Sequence, residues 1–295
     1  MAQIQANGVQ IEYDTFGDAG ARPLLLIMGL GTQMTRWRPA FCQMLVDAGH
    51  YVIRFDNRDI GLSEKFDHLG IPDMAELFAS AMAGEPVVAP YTLSDMAADA
   101  SGLLDALDIA QAHVVGASMG GMIAQTLAIE HADRLRSMTS IMSSTGNPEL
   151  PPSTPEATAA LLSPAGTTEE EVLERTVQIN RTIGSPGYPE PEDDVRARAR
   201  EDYQRSFHPV GVARQMAAIA ASGNRKPALG NVRTPTLVIH GADDPLVPLT
   251  GGIDTHEAIA GSQLQVIDGM GHDLPEAIWP QVVGAITDHT LQHHR

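Results

Sequence analysis

The segment Gly116-Ala117-Ser118-Met119-Gly120 constrains this chain more than any other, because of what stands on either side of it. His113-Val114-Val115 ahead of it is of strand type, and Gly120-Gly121-Met122-Ile123-Ala124-Gln125 after it starts a helix. Gly-x-Ser-x-Gly alone is a moderate signal, since short patterns of common residues recur by chance. Between a strand and a helix it predicts a sharp turn that presents the serine. Gly116 and Gly120 are expected where such a turn leaves no room for side chains two residues either side of Ser118. The strain aims the hydroxyl outward, and the helix N-terminus adds positive potential there. The bland alternative is a tight strand-to-helix turn with an incidental serine.

Along the rest of the chain, short apolar runs alternate with longer helix-like ones. Val9 to Phe16, Leu24 to Met28, Tyr51 to Phe55, His113 to Gly116, Arg136 to Met142, Thr236 to His240 and Gln263 to Ile267 read as strands. Several are continuously apolar, as strands covered on both faces are. Trp37 to Ala48, Leu93 to Leu107, Gly120 to Glu130 and Glu276 to Leu291 read as helices. Thr92 with Asp95 supplies the S/T-x-x-[DE] start signal for the second of them. Strand alternating with helix predicts an α/β fold with a mainly parallel central sheet flanked by helices. From Asn147 to Gly230 the rhythm breaks. A Pro-rich stretch (NPELPPSTP) leads to helical runs over Thr168 to Thr182, Val195 to Phe207 and Val210 to Ala221, a Pro/Gly break (GSPGYPEPED) separating the first two. The expected organisation is a first core part over 1–146, a helical cap inserted over 147–230, and a second core part over 231–295. A second irregular stretch, Lys65 to Tyr91, is expected near a pocket entrance.

Of 295 residues 43% are hydrophobic, which suits one large domain with an insertion and argues against disorder. Lys plus Arg number 19 against 37 Asp plus Glu, a formal net charge of −18 that repels phosphate backbones and anionic lipid. Neither a nucleic-acid nor a membrane partner is expected, and the longest apolar stretches fall far short of the ~20 residues of a membrane helix. Cys42 is the one cysteine, which rules out an intrachain disulfide and a multi-cysteine metal site. MAQIQANGVQIEYDTFG has neither the basic segment nor the apolar run of a secretory signal, so a cytoplasmic protein is expected. Gly29-Leu30-Gly31 follows a strand, but Met34 stands where a dinucleotide fingerprint needs its third glycine. No cofactor and no metal are expected. The oligomeric state stays open, with a homodimer one option.

A serine hydroxyl becomes nucleophilic beside a base, and near neutral pH that base is an imidazole held in one tautomer by a carboxylate. Eleven histidines are available. His272 stands out because its loop, Gly269-Met270-Gly271-His272-Asp273-Leu274-Pro275, follows the strand Gln263 to Ile267 and so lies at the carboxyl end of the sheet, with the serine turn. His240 ends a strand and is expected to pack there. His50, His131, His256, His289, His293 and His294 lie before a strand, on helical stretches or at the tail. The acid is expected in the loop Gly241-Ala242-Asp243-Asp244-Pro245. Asp244 is preferred because Pro245 biases its backbone to an extended conformation; Asp243 is the alternative, and turn formation is the bland role open to both. The oxyanion of the attack needs preorganised N–H donors. One is that of Met119; the other comes from Gly29-Leu30-Gly31, with Leu30 the choice.

Together HVVGASMGGMIAQ, the MGLG loop, Arg54 to Ser63 (RFDNRDIGLS), LVIHGADDPLVP and GMGHDLP resemble the motifs of α/β-hydrolase-fold esterases. Within them the likeness is to the branch that contains the aclacinomycin methylesterase, a polyketide methyl-ester hydrolase. It runs through the core from Leu24 to Pro275 and hardly touches the inserted helices. The resemblance implies an α/β-hydrolase fold with the chain order Ser118, Asp244, His272 and oxyanion donors at Leu30 and Met119. It also implies a serine esterase that acts on a small-molecule ester through an acyl-enzyme. Many relatives have His-Gly where this chain has Met28-Gly29, and the methylesterase branch shares the Met form. A lactonase, a C–C hydrolase or a perhydrolase would use the same machinery, and a ligand receptor would keep only the pocket. Arg54 to Ser63 is expected to be structural, pinning the strand-end loop beside the oxyanion segment through buried ion pairs. Of the 13 methionines, Met28, Met34, Met119 and Met122 are candidates to line an adaptable apolar pocket, though core filling is the commoner role.

Overall fold

The computed structural model describes residues 1–294, the side chains of Phe78, Ala81 and Met82 aside. First come β1 (Ala2–Ala6), β2 (Val9–Phe16), β3 (Arg22–Ile27), α1 (Pro39–Asp47), β4 (His50–Phe55) and α2 (Met74–Ala83). Next are α3 (Leu93–Ala106), β5 (Ala112–Ala117), α4 (Met119–Glu130) and β6 (Leu135–Ile141). Helices alone follow among the described residues: α5 (Pro155–Leu161), α6 (Glu169–Ile183), α7 (Glu192–Arg205), α8 (Pro209–Ser222) and α9 (Lys226–Leu229). The chain then returns to the sheet with β7 (Thr236–Gly241), α10 (Leu249–Ala258), β8 (Gln263–Ile267) and α11 (Trp279–Gln292). One eight-stranded sheet has the order β1-β2-β4-β3-β5-β6-β7-β8. β2 pairs antiparallel with β1 and β4, and every later neighbour is parallel. The expected fold class is the one observed, with one strand more than the sequence reading: AQIQA is a mostly exposed edge strand with little apolar signal.

The alternation along β3 shows why the sheet is covered twice. Leu24 and Leu26 join Phe41 of α1 and Ile286 of α11, while Leu25 and Ile27 join Leu103 of α3 and Leu127 of α4. Successive strand side chains point to opposite faces, and all four of these are fully buried. Strand order then decides where a ligand fits. β3 lies between β4 and β5, and the chain leaving β3 runs to α1 on one face while the chain leaving β5 runs to α4 on the other. The two departures open a crevice at the carboxyl ends of β3 and β5, the switch point of a parallel sheet.

Ser118 sits in that crevice, at the turn from β5 into α4. Its φ of 56° and ψ of −121° fall where L-residues are strained. A Cβ at Gly116 would overlap the carbonyl oxygen of Gly120, and one at Gly120 would overlap the carbonyl oxygen of Ile27 on β3. The start of α3 is the capping box read from Thr92 and Asp95: each side chain accepts from the other's backbone N–H.

Between β6 and β7, α6 packs on α5 and α7, and the two ends of this excursion are tied together. Arg225 N–H donates to the Thr145 carbonyl at 2.8 Å, and Arg225 Nη2 to the Ser144 carbonyl at 2.9 Å. The stretch from Lys65 to Tyr91 is more ordered than expected, since it holds α2, which packs on α8. Among the described residues, no helix is long and apolar enough to cross a membrane.

Three histidines are buried at structural positions. His50 bonds to the Leu45 carbonyl and Thr290 hydroxyl (2.9 and 2.7 Å), His113 to the Ser137 hydroxyl (2.8 Å), and His289 to the Pro235 carbonyl (3.3 Å). Burial pushes their imidazoles down from 6.5 to about 4, about 3 and about 4 respectively. All three are thus neutral in the fold below the pH at which the unfolded chain protonates them. The unfolded chain then binds more protons, so stability is lost as pH falls from 6.5 towards 4. The thermal midpoint is expected to decline over that window, and less steeply in His113→Asn; a midpoint indifferent to pH there would contradict this. Gly120→Ala is expected to cost about 1–3 kcal/mol or more by urea unfolding, because the added methyl meets backbone that cannot yield.

Candidate active site

Two hydrogen bonds join side chains from three distant loops. His272 Nε2 lies 2.9 Å from Ser118 Oγ, and His272 Nδ1 lies 2.7 Å from Asp244 Oδ2. A carboxylate only accepts, so Nδ1 carries the proton and Nε2 is left to accept from the serine hydroxyl. Asp244 is fixed by its own turn. Its side chain is 0% exposed, and its second oxygen accepts the N–H groups of Leu246 and Val247 at 2.9 and 2.8 Å. Asp243 points elsewhere: it is exposed and accepts the Gly269 N–H at 2.9 Å. His240 packs as expected of a strand end, with Nε2 2.8 Å from the Val247 carbonyl and 3.8 Å from Asp244 Oδ2. Burial pushes its imidazole down, so it stays neutral.

The loop that carries His272 is held from the end of α6 and the segment that follows it. His272 N–H donates to the Ile183 carbonyl at 2.7 Å, Gly271 N–H to Ser185 Oγ at 2.9 Å, and Gly187 N–H to the Gly269 carbonyl at 2.9 Å. Ser185 Oγ in turn donates to the Asp273 carboxylate. These residues carried no recognisable signal in the sequence, where the segment reads only as a Pro/Gly break.

Met119 opens α4, so its N–H has no acceptor within the helix. Leu30 lies in the loop after β3, and that loop presses on Ser118: a Cβ at Gly29 would sit 3.1 Å from the Ser118 Cβ. Asn57 Nδ2 donates to the Met28 carbonyl at 2.9 Å, which fixes where the loop leaves the strand. The four charged residues of Arg54 to Ser63 are buried and form ion pairs, as the sequence reading anticipated. Arg54 meets Asp14 at 2.8 Å, and Arg58 grips Asp99 through two bonds of 2.6 and 2.7 Å. Asp56 meets Arg205 at 2.7 Å, and Asp59 accepts two bonds from Arg214 at 2.8 and 2.6 Å. The two last partners, on α7 and α8, were not foreseen, because nothing local marks a helical arginine as the mate of a distant loop.

Ser118 and His272 face a cavity of about 1220 Å³ between the sheet ends and the inserted helices. Met28, Met119 and Met122 line it as anticipated, joined by Met142 and Met216. Met34 does not; it is fully buried, its N–H bound to Asp56 at 2.7 Å. No described residue of 65–91 lines the cavity either, since α2 is turned onto α8. Among the described residues there is no group of three or more His, Cys, Asp or Glu side chains placed to hold a metal ion.

Comparison with known proteins agrees with this architecture. Residues 22–276 match the model of the alpha/beta hydrolase fold family. The chain is 31% identical to rhodomycin D methylesterases of Streptomyces sp. (strain C5) and Streptomyces peucetius, covering 97% of this chain and 97% of each of them. Among solved structures, the enol-lactonase from Burkholderia xenovorans LB400 superimposes with a TM-score of 0.75 at 25% identity, over 98% of this chain and 100% of that one. With its parallel sheet, its serine turn and a match across most of its length, the chain belongs to the alpha/beta hydrolase fold family.

Proposed function

We propose that this protein is a serine hydrolase that cleaves the carboxylic ester of a bulky small-molecule acid through an acyl-enzyme. The observation that carries the reading is the unbroken hydrogen-bonded line from Ser118 through His272 to Asp244 at the wall of a large, methionine-lined cavity. Ser118 Oγ attacks the ester carbonyl while His272 Nε2 takes its proton, and Asp244 stabilises the imidazolium that forms. The N–H groups of Met119 and Leu30 receive the oxyanion. His272 returns the proton to the departing alcohol. Water deprotonated by the same nitrogen then releases the acid and frees Ser118. The reaction so drawn needs no cofactor.

Residues 147–230 serve in this reading as a cap, roofing the cavity with Leu161, Val172, Ile179 and Val212. Its volume of about 1220 Å³ exceeds the ~300–1,000 Å³ common for small-ligand pockets, which favours a large acyl group. The likeness to rhodomycin D methylesterases favours a methyl ester, whose leaving alcohol needs little room.

Ser118→Ala is expected to lower kcat/KM for p-nitrophenyl acetate by at least about 10⁴-fold and to abolish fluorophosphonate labelling at that position. Asp244→Asn is expected to cost about 10³–10⁴-fold and Asp243→Asn less than about threefold. Full turnover by Ser118→Ala would refute the mechanism, and the opposite ranking of the two aspartates would move the acid to Asp243. Methyl esters of polycyclic acids should be hydrolysed with higher kcat/KM than short-chain alkyl esters; the reverse order would refute the bulky acyl group.

A further inference from the structure

Gln215 of α8 has no exposed surface and makes two hydrogen bonds, both from the inserted helices to the core. Its Oε1 accepts the Gly31 N–H at 2.9 Å, and its Nε2 donates to the Arg58 carbonyl at 2.9 Å. We propose that Gln215 is a positioning residue for the oxyanion loop, locking the peptide that follows Leu30 so that the Leu30 N–H is already aimed when the oxyanion forms. The proposal rests on the serine-hydrolase reading above.

The Leu30–Gly31 peptide is held at both ends. Gln215 takes its N–H, and its carbonyl accepts from Thr32 Oγ1 at 3.0 Å. The neighbouring peptide, which bears the Leu30 N–H, turns about the same Cα, so fixing one peptide restricts the other. This loop needs an external clamp, because Leu30 is flanked by glycines, which have the most backbone freedom, and Gly31 uses that freedom at φ +64°. Val212 lies three residues before Gln215, on the same helix face, and packs on that glycine: a Cβ at Gly31 would sit 3.0 Å from Val212 Cγ2. The other end of the Gln215 amide rests on Arg58, whose guanidinium is bound to Asp99. The clamp is therefore anchored in the buried ionic loop, not in a mobile side chain. A donor contributes to turnover in proportion to how well it is ordered before the reaction, since reorganisation during the step raises the barrier.

Gln215→Met keeps the length and apolar stem of the side chain and removes both bonds. In the folded protein, kcat for p-nitrophenyl acetate is expected to fall about 10–100-fold, less than the ~10²–10³ lost with a deleted donor, while KM stays within about threefold. Affinity for a trifluoromethyl ketone, which adds Ser118 to give a tetrahedral oxyanion, should fall by the same factor as kcat/KM. Unchanged kcat and ketone affinity would overturn the proposal, as would a loss confined to KM. Should Gln215→Met fail to fold, Gln215→Glu decides: an ionisable group one hydrogen bond from the loop should give kcat a decline with rising pH that the parent enzyme lacks. An unaltered pH profile would overturn the proposal. Turnover surviving Ser118→Ala would overturn the hydrolase reading itself, and this proposal with it, whatever the Gln215 variants do.

Discussion

Ser118 is held at positive φ because β5 and α4 approach so closely that only hydrogen atoms fit at Gly116 and Gly120, and β3 presses on the same turn through the Ile27 carbonyl. A serine in such a conformation costs about 1–3 kcal/mol, and it persists because the surrounding elements leave it no alternative. Both flanks are anchored: Val114 and Val115 of β5 are buried on opposite faces of the sheet, and Met119, Ile123 and Leu127 pack α4 into one of them. That turn sets the crevice and the place of Met119 at the start of α4, and it brings the loop after β3 against Ser118 at Gly29. The strain is local, and the packing that sustains it is spread through both layers.

A second layer of determination is ionic. Asp59 is fully buried, and burial opposes its charge. The Arg214 guanidinium, the Phe66 N–H and the Tyr91 hydroxyl more than offset this and hold its carboxyl below the usual range. Arg54 with Asp14, Arg58 with Asp99 and Asp56 with Arg205 are the other pairs of this loop. Such pairs add little net stability over apolar substitutes, but removing one partner leaves a stranded charge, so they fix one arrangement at the expense of others. Here the chosen arrangement seats α7 and α8 against the loop after β4, which in turn holds the start of the loop after β3 through Asn57. The helices between β6 and β7 thereby touch the proposed machinery twice, through α8 on the oxyanion loop and through the segment after α6 on the loop of His272. In the proposed enzyme the cap thus orders the reacting groups as well as enclosing the cavity.

Whatever depends on neighbours along the chain was legible in residue order. Strand periodicity, the capping pair Thr92 and Asp95, the glycines around Ser118 and the proline after Asp244 each act within a few residues, so the parallel sheet and the serine turn were legible from them. Edge strand β1 was missed because an exposed strand carries no apolar run. The rest was fixed by packing between segments far apart in the chain. Gln215 meets Gly31 across 184 residues, and Arg214 meets Asp59 across 155. Which helix face turns inward, and at what height along the sheet, is set by packing over the whole insertion, and no short pattern encodes it. For the same reason Met142 and Met216 line the cavity while Met34 is buried away from it. A methionine's type says that it is apolar and adaptable; only its place in the fold says what it touches.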